Sequence, residues 1–261
     1  MTSNSILHYQ SLNDGVSKDT SPIVLIHGLF GSLENLNMIA KPLSEQHHVI
    51  SVDVRNHGQS FHRDQMNYQL MADDVIALLA SLNINKAHFL GHSMGGKIAM
   101  QIALTKPSLV DKLIVADIAP VTYPPHHNAI INGLRAIDLT AIKSRRDADT
   151  LLQTAVDEPG VRQFLLKNLA KNDSGFYWRV NIDAIDKNYA SIATGFDHGS
   201  FDGEVLFIKG ANSNYITTEH QPVILQRFPK AKAKIIQGAG HWLHAEKPVA
   251  FNKIVQDFID R

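Results

Sequence analysis

The chain has no cysteine among its 261 residues. That excludes disulfide staples, thiolate metal sites and a cysteine nucleophile together. An excess of either charge is also lacking: 25 Lys+Arg stand against 25 Asp+Glu, so nothing electrostatic favours a nucleic acid or an anionic membrane as partner. Long apolar runs are missing as well. The sharpest, Ile23-Val24-Leu25-Ile26, is far short of the roughly 20 residues that a membrane helix requires. The stretch Met1-Thr2-Ser3-Asn4-Ser5-Ile6 has neither the basic patch nor the apolar run of a secretion signal, which sets the expectation of a cytoplasmic protein. Aromatic content is modest at 7%, yet 44% hydrophobic against 19% charged residues is the balance of a globular fold and excludes a disordered chain. No segment repeats and none is of low complexity. At this length a chain buries roughly 70–75% of its unfolded surface, which suits one large domain or a core with a subordinate cap.

What is present is an alternation of short β-branched runs with longer helical patterns. Strands are expected over 6–12, 22–27, 49–53, 87–90, 112–117, 204–209 and 233–237, and helices over 33–45, 68–82, 95–106, 218–228 and 247–259. Several strands are apolar throughout (Leu113-Ile114-Val115-Ala116), as strands covered on both faces must be. The order predicts an α/β fold with a mostly parallel central sheet flanked by helices. From 120 to about 200 the alternation stops. No strand is legible there, and helices are expected over 127–137, 144–155, 160–170 and 181–193. Core residues 1–120 and 200–261 would then be interrupted by a helical cap over 121–199, roofing the carboxyl ends of the strands where open α/β sheets bind ligands.

The chemistry concentrates at four turns. Gly91-His92-Ser93-Met94-Gly95-Gly96 follows an apolar strand and opens a helix, the setting in which G-x-S-x-G holds a serine nucleophile on a strained turn. Its glycines leave room for the tight turn, and the Met94 N–H can face a developing negative charge. A serine needs a base near neutral pH. Of 14 histidines, His241 in Gly238-Ala239-Gly240-His241-Trp242 lies on a glycine-flanked loop after the last strand, with His92 and His57 as competitors in other turns. The third group must be a carboxylate that orients the imidazole. The usual loop, Gly210-Ala211-Asn212-Ser213-Asn214-Tyr215, contains no acid, so the expectation falls on Asp117 at the end of the preceding strand, with Asp197 and Asp202 in reserve. In His27-Gly28-Leu29-Phe30-Gly31, the Leu29 N–H can pair with that of Met94 as an oxyanion hole. Phe30, Trp178 and Trp242 are the expected substrate-binding residues. Asp53 to Ser60 reads as a packed, hydrogen-bonded loop, and the basic clusters at 143–146 and 230–234 as solvated faces. Nothing has metal-ligand spacing or a nucleotide-binding glycine pattern, so no metal or cofactor is expected.

With these residues in view, the chain resembles the α/β-hydrolase superfamily over nearly its whole length. More narrowly, it resembles the bacterial YbfF-type esterases in Asp117-Ile118-Ala119-Pro120, Phe176-Tyr177-Trp178-Arg179 and Phe207-Ile208-Lys209-Gly210-Ala211-Asn212-Ser213. The resemblance implies Asp117 as the triad acid. It also implies carboxylester hydrolysis, with short-chain esters and acyl-CoA thioesters as small-molecule substrates. One fold hosts many chemistries, so a C–C bond hydrolase, a lyase, a cofactor-free haloperoxidase and a non-catalytic receptor stay open as alternatives.

Overall fold

The structure is a computed structural model, and it describes residues 6–15 and 20–261; residues 1–5, read above for a leader, lie outside it. Among the described residues the central sheet has seven strands. They are β1 (Tyr9–Leu12), β2 (Ile23–Ile26), β3 (Val49–Val52), β4 (Ala87–His92), β5 (Val110–Ala116), β8 (Glu204–Gly210) and β9 (Ala231–Ile236), in spatial order β1-β3-β2-β4-β5-β8-β9. All neighbours run parallel except β1, which pairs antiparallel with β3. β2 and β3 are buried at every position, which is why their sequences show no alternation.

Helices cover both faces. α2 (Tyr68–Ser81) and α3 (Met94–Thr105) pack Met71, Val75, Ile98 and Ile102 on one side. α1 (Asn37–Leu43), α9 (Leu243–Glu246) and α10 (Pro248–Ile259) pack Ile39, Leu243, Phe251 and Phe258 on the other. The single helix expected over 33–45 is two pieces, a 3-10 turn at Leu33–Leu36 followed by α1, and 218–228 divides likewise into Thr218–His220 and α8 (Gln221–Arg227). Pro222 suits the first turn of α8, where its missing N–H has no intrahelical partner to lose. No helix among the described residues is long and apolar enough to cross a membrane.

Between β5 and β8 the chain leaves the sheet. It forms α4 (Asn128–Arg135), α5 (Arg145–Leu152), α6 (Pro159–Leu166), the antiparallel hairpin β6 (Leu169–Asn172) and β7 (Gly175–Trp178), and α7 (Ile182–Ala193). The hairpin corrects the expectation of a strandless segment, and the helix expected over 160–170 stops at Leu166. Gly175, at φ 117°, makes the turn that no other residue would make without strain, and Phe176-Tyr177-Trp178 supplies aromatic β-propensity. The two ends of this segment are tied together at the sheet. Tyr123 N–H donates to the Ala193 carbonyl at 3.0 Å, and Phe196 N–H to that of Pro120 at 3.0 Å.

Candidate active site

Ser93 follows β4 at φ 54°, ψ −121°, the strained geometry expected of a side chain thrust above a strand-to-helix turn. The turn closes only because of its glycines. A Cβ on Gly91 would lie 2.1 Å from the Gly95 carbonyl oxygen, and one on Gly95 would lie 2.1 Å from that of Ile26. The turn is pinned to the neighbouring strand by Ser93 N–H donating to Ala116 O at 2.9 Å. One residue beyond, Asp117 also has a positive φ of 52° and donates its N–H to Ile208 O at 2.8 Å. Both side chains therefore leave adjacent strands at the carboxyl edge of the sheet.

His241 reaches them from the loop after β9. Its Nδ1 donates to Asp117 Oδ2 at 2.8 Å, and its Nε2 faces Ser93 Oγ at 3.1 Å. A carboxylate only accepts, so the proton of the neutral imidazole sits on Nδ1 and the Nε2 lone pair is presented to the serine hydroxyl. Asp117 is fully buried and accepts two further hydrogen bonds: Gly210 N–H donates to Oδ1 at 3.0 Å, and the Ser213 hydroxyl donates to Oδ2. The loop 210–215 holds no acid, but it supplies two of the three donors on Asp117, because β5 and β8 are direct neighbours. Tyr215 completes the setting, its ring stacked on that of His241 at 4.0 Å and 22°. Ser213 and Tyr215 were not singled out from sequence, although both lie in the 210–215 loop that was searched for an acid.

The competing histidines have other work. His92 is buried and bonds the His241 carbonyl through Nε2 at 2.8 Å, which steadies the loop that carries His241, and burial holds its basicity well below the ordinary value. His57 accepts Phe30 N–H at Nε2 (3.1 Å) and donates from Nδ1 to Arg55 O (3.0 Å). Burial lowers it to about 3, and the neutral ring fixes Phe30 in its positive-φ conformation beside Leu29. The rest of the 53–60 loop is likewise structural: Asp53 accepts from Leu33 and Gln59 N–H, and Arg55 pairs with Asp74 at 2.5 Å. Of the reserve acids, Asp197 is exposed beside His198, and Asp202 is exposed on the loop leading to β8.

A cavity of about 260 Å³ opens on Ser93 and His241, lined by Leu29, Phe30, Phe164 and Trp242. Trp178, expected in the same pocket, is not there. The hairpin carries it to a separate surface cleft with His62, Arg135 and Leu139. Lys97, one turn into α3 from Ser93, is a feature that sequence reading passed over. It is 1% exposed, and its Nζ donates to the carbonyls of Val121 (2.7 Å), Thr194 (2.7 Å) and Ala193 (3.3 Å), the two ends of the inserted segment. Burial lowers its basicity to about 7.

A nucleophile-elbow serine, an imidazole and a buried carboxylate at the strand ends of this sheet are the layout of the α/β hydrolases. The chain matches that fold family over residues 21–248 and belongs to it. Its relatives narrow the comparison. It is 40% identical over 243 residues to esterase YbfF of Escherichia coli (strain K12), covering 93% of this chain and 94% of that one. It is 39% identical over 251 residues to the sn-1-specific diacylglycerol lipase ABHD11 of Danio rerio, covering 92% and 79%. Among solved structures, a marine microorganism esterase matches with a TM-score of 0.93 at 38% identity, over 97% of this chain and 99% of that one.

Proposed function

We propose that this protein is a carboxylic ester hydrolase working through an acyl-enzyme on Ser93. The observation that carries the reading is the unbroken line Asp117–His241–Ser93, at 2.8 and 3.1 Å, opening on a cavity. His241 Nε2 takes the Ser93 proton as Oγ attacks the acyl carbonyl carbon. The negative charge that develops on the carbonyl oxygen is met by the N–H groups of Leu29 and Met94, donors of a kind worth roughly 10²–10³ in rate each. The imidazolium, supported by Asp117, returns the proton to the leaving oxygen or sulfur. Water then enters, gives its proton to His241 and releases the acid.

The substrates in this reading are short-chain acyl esters and, beyond them, acyl-CoA thioesters, without a cofactor. Phe30 and Trp242 form the wall of the substrate pocket. Residues 121–199 act as a cap; Phe164 on α6 supports this, since it lines the cavity from the inserted segment. A second reading, a lipase acting on glycerides, is favoured by the 39% identity to the diacylglycerol lipase. The test is turnover of p-nitrophenyl butyrate: the wild-type chain hydrolyses it, and Ser93→Ala falls to the background rate. Equal rates in the two proteins would contradict the reading.

A further inference from the structure

Ser93 stands between two chambers of unlike size. The larger is the cavity of about 260 Å³ already described. The smaller, about 40 Å³, opens on the Met94 side of Ser93 and is lined by Tyr68, Lys97, Ile118, Tyr123, Tyr189 and Ile192. Leu29, Ser93, His127 and Tyr215 border both; His241 and Trp242 border only the larger, and Met94 only the smaller.

That asymmetry fixes the direction of a bound ester. The proton that His241 gives up must arrive at the leaving atom, so the leaving group lies on the side of the serine that His241 faces. The other substituent of the carbonyl carbon, the acyl chain, then points away from His241. We infer that the acyl group occupies the small chamber between Met94, Ile118 and Ile192, and the alcohol or thiol occupies the large one, making this a short-acyl hydrolase of esters with bulky apolar alcohols. The assignment rests on the hydrolase reading above and adds the orientation of its substrate.

The sizes and surfaces agree with it. At about 40 Å³ against about 260 Å³, the small chamber has less than a sixth of the room of the large one and suits the shorter of the two substituents of the carbonyl carbon. The polar tips of Tyr68, Tyr123, Tyr189 and Lys97 are already engaged, so these side chains offer an acyl chain ring faces and methylene groups. Tyr68 OH donates to Ile192 O, Tyr123 OH to Tyr215 O, Tyr189 OH bonds His127, and Lys97 Nζ lies on the carbonyls of Val121, Ala193 and Thr194. The large chamber is bounded by Ile130, Val161, Phe164, Leu165 and Trp242, surfaces suited to an aromatic or branched alcohol. A methylene that does not fit an apolar pocket is worth roughly 10–200-fold in selectivity. The orientation also separates this chain from an enzyme cleaving long acyl chains from glycerol.

Two ester series test it. In the first, p-nitrophenyl esters run from acetyl to decanoyl; in the second, acetates run from methyl and ethyl to benzyl and naphthylethyl. Wild-type kcat/KM is expected to fall at least tenfold from butyryl to octanoyl, and to rise about tenfold from ethyl to naphthylethyl acetate. Ile192→Ala, and the milder Ile118→Val in case the first variant folds poorly, should raise the octanoyl-to-butyryl ratio about fivefold and leave the alcohol series in its wild-type order. Octanoyl esters turned over as well as butyryl, indifference to the alcohol, or variants that shift both series alike would overturn the orientation while leaving a hydrolase. No hydrolysis of any ester would overturn the hydrolase reading, and the orientation with it.

Discussion

The sheet and the inserted segment bury their residues in different ways. Ten of the twelve positions of α3 in the core are buried, including Lys97 and Gln101. α4 and α5 of the insert bury two each, Ile131 with Leu134 and Ala148 with Leu152. A helix packed on every side is constrained at nearly every position. One held by a two-residue seam leaves most of its surface free to vary. The proposed reacting groups Ser93, Asp117 and His241 hang from the core, while Val161 and Phe164 on α6 and Ile192 and Tyr189 on α7, which line the space around Ser93, come from the insert, whose α6 and α7 bury three of eight and five of twelve positions. In the proposed reading the chemistry belongs to the strand ends, and the insert supplies part of the wall that the substrate meets.

The comparison predicts that substitutions at Ser93, Asp117 and His241 change kcat and that substitutions lining the two chambers change preference. The largest effect should come from Asp117→Asn, which keeps the shape but presents the wrong hydrogen-bonding face to His241. By analogy with the serine-protease triad, a loss of roughly 10⁴ in kcat is expected, with KM little changed. Ser213→Ala removes one of three donors on Asp117 and should lower kcat/KM about tenfold, whereas the exposed Asn214→Ala stays within about twofold. Equal losses for all three on p-nitrophenyl butyrate would contradict the special place of Asp117.

A smaller effect is expected at the seam. Lys97 is the tie between α3 and both ends of the insert, and its folded basicity lies near 7 against an ordinary value near 10.5. Between those values the unfolded chain binds a proton that the folded chain does not, so stability contributed at this position rises with pH from about 7 to about 10 and is flat below. Melting temperatures at pH 7 and pH 9.5 should show the wild type gaining a few degrees relative to Lys97→Met, which cannot titrate. A difference between the two proteins that does not change with pH would show that Lys97 keeps its proton throughout.

How much was legible in the sequence follows the same division. The strands of the sheet could be read because burial on both faces leaves continuous apolar runs such as 23–26 and 113–116. Ser93 could be read from glycines that steric contact demands, and Asp117 from an acid closing an apolar strand. The hairpin at 169–178 was passed over because Leu169-Ala170-Lys171 extends the helical pattern of α6, although Asn172-Asp173-Ser174-Gly175 before three aromatic residues is a turn signal. Ser213 was invisible for another reason. It closes the 207–213 stretch that carries the family resemblance, but its hydrogen bond to Asp117 depends on which strand lies beside β8. The misplacement of Trp178 followed from the missed hairpin, which turned that ring to another cleft.

The central claim is that Ser93 becomes acylated with His241 as its base. The most direct measurement is the intact mass of the protein after treatment with a fluorophosphonate, followed by peptide mapping. The account predicts one adduct per chain, on Ser93, formed far more slowly in His241→Ala and absent in Ser93→Ala. An unlabelled wild-type chain, or a label that persists in Ser93→Ala, would contradict it.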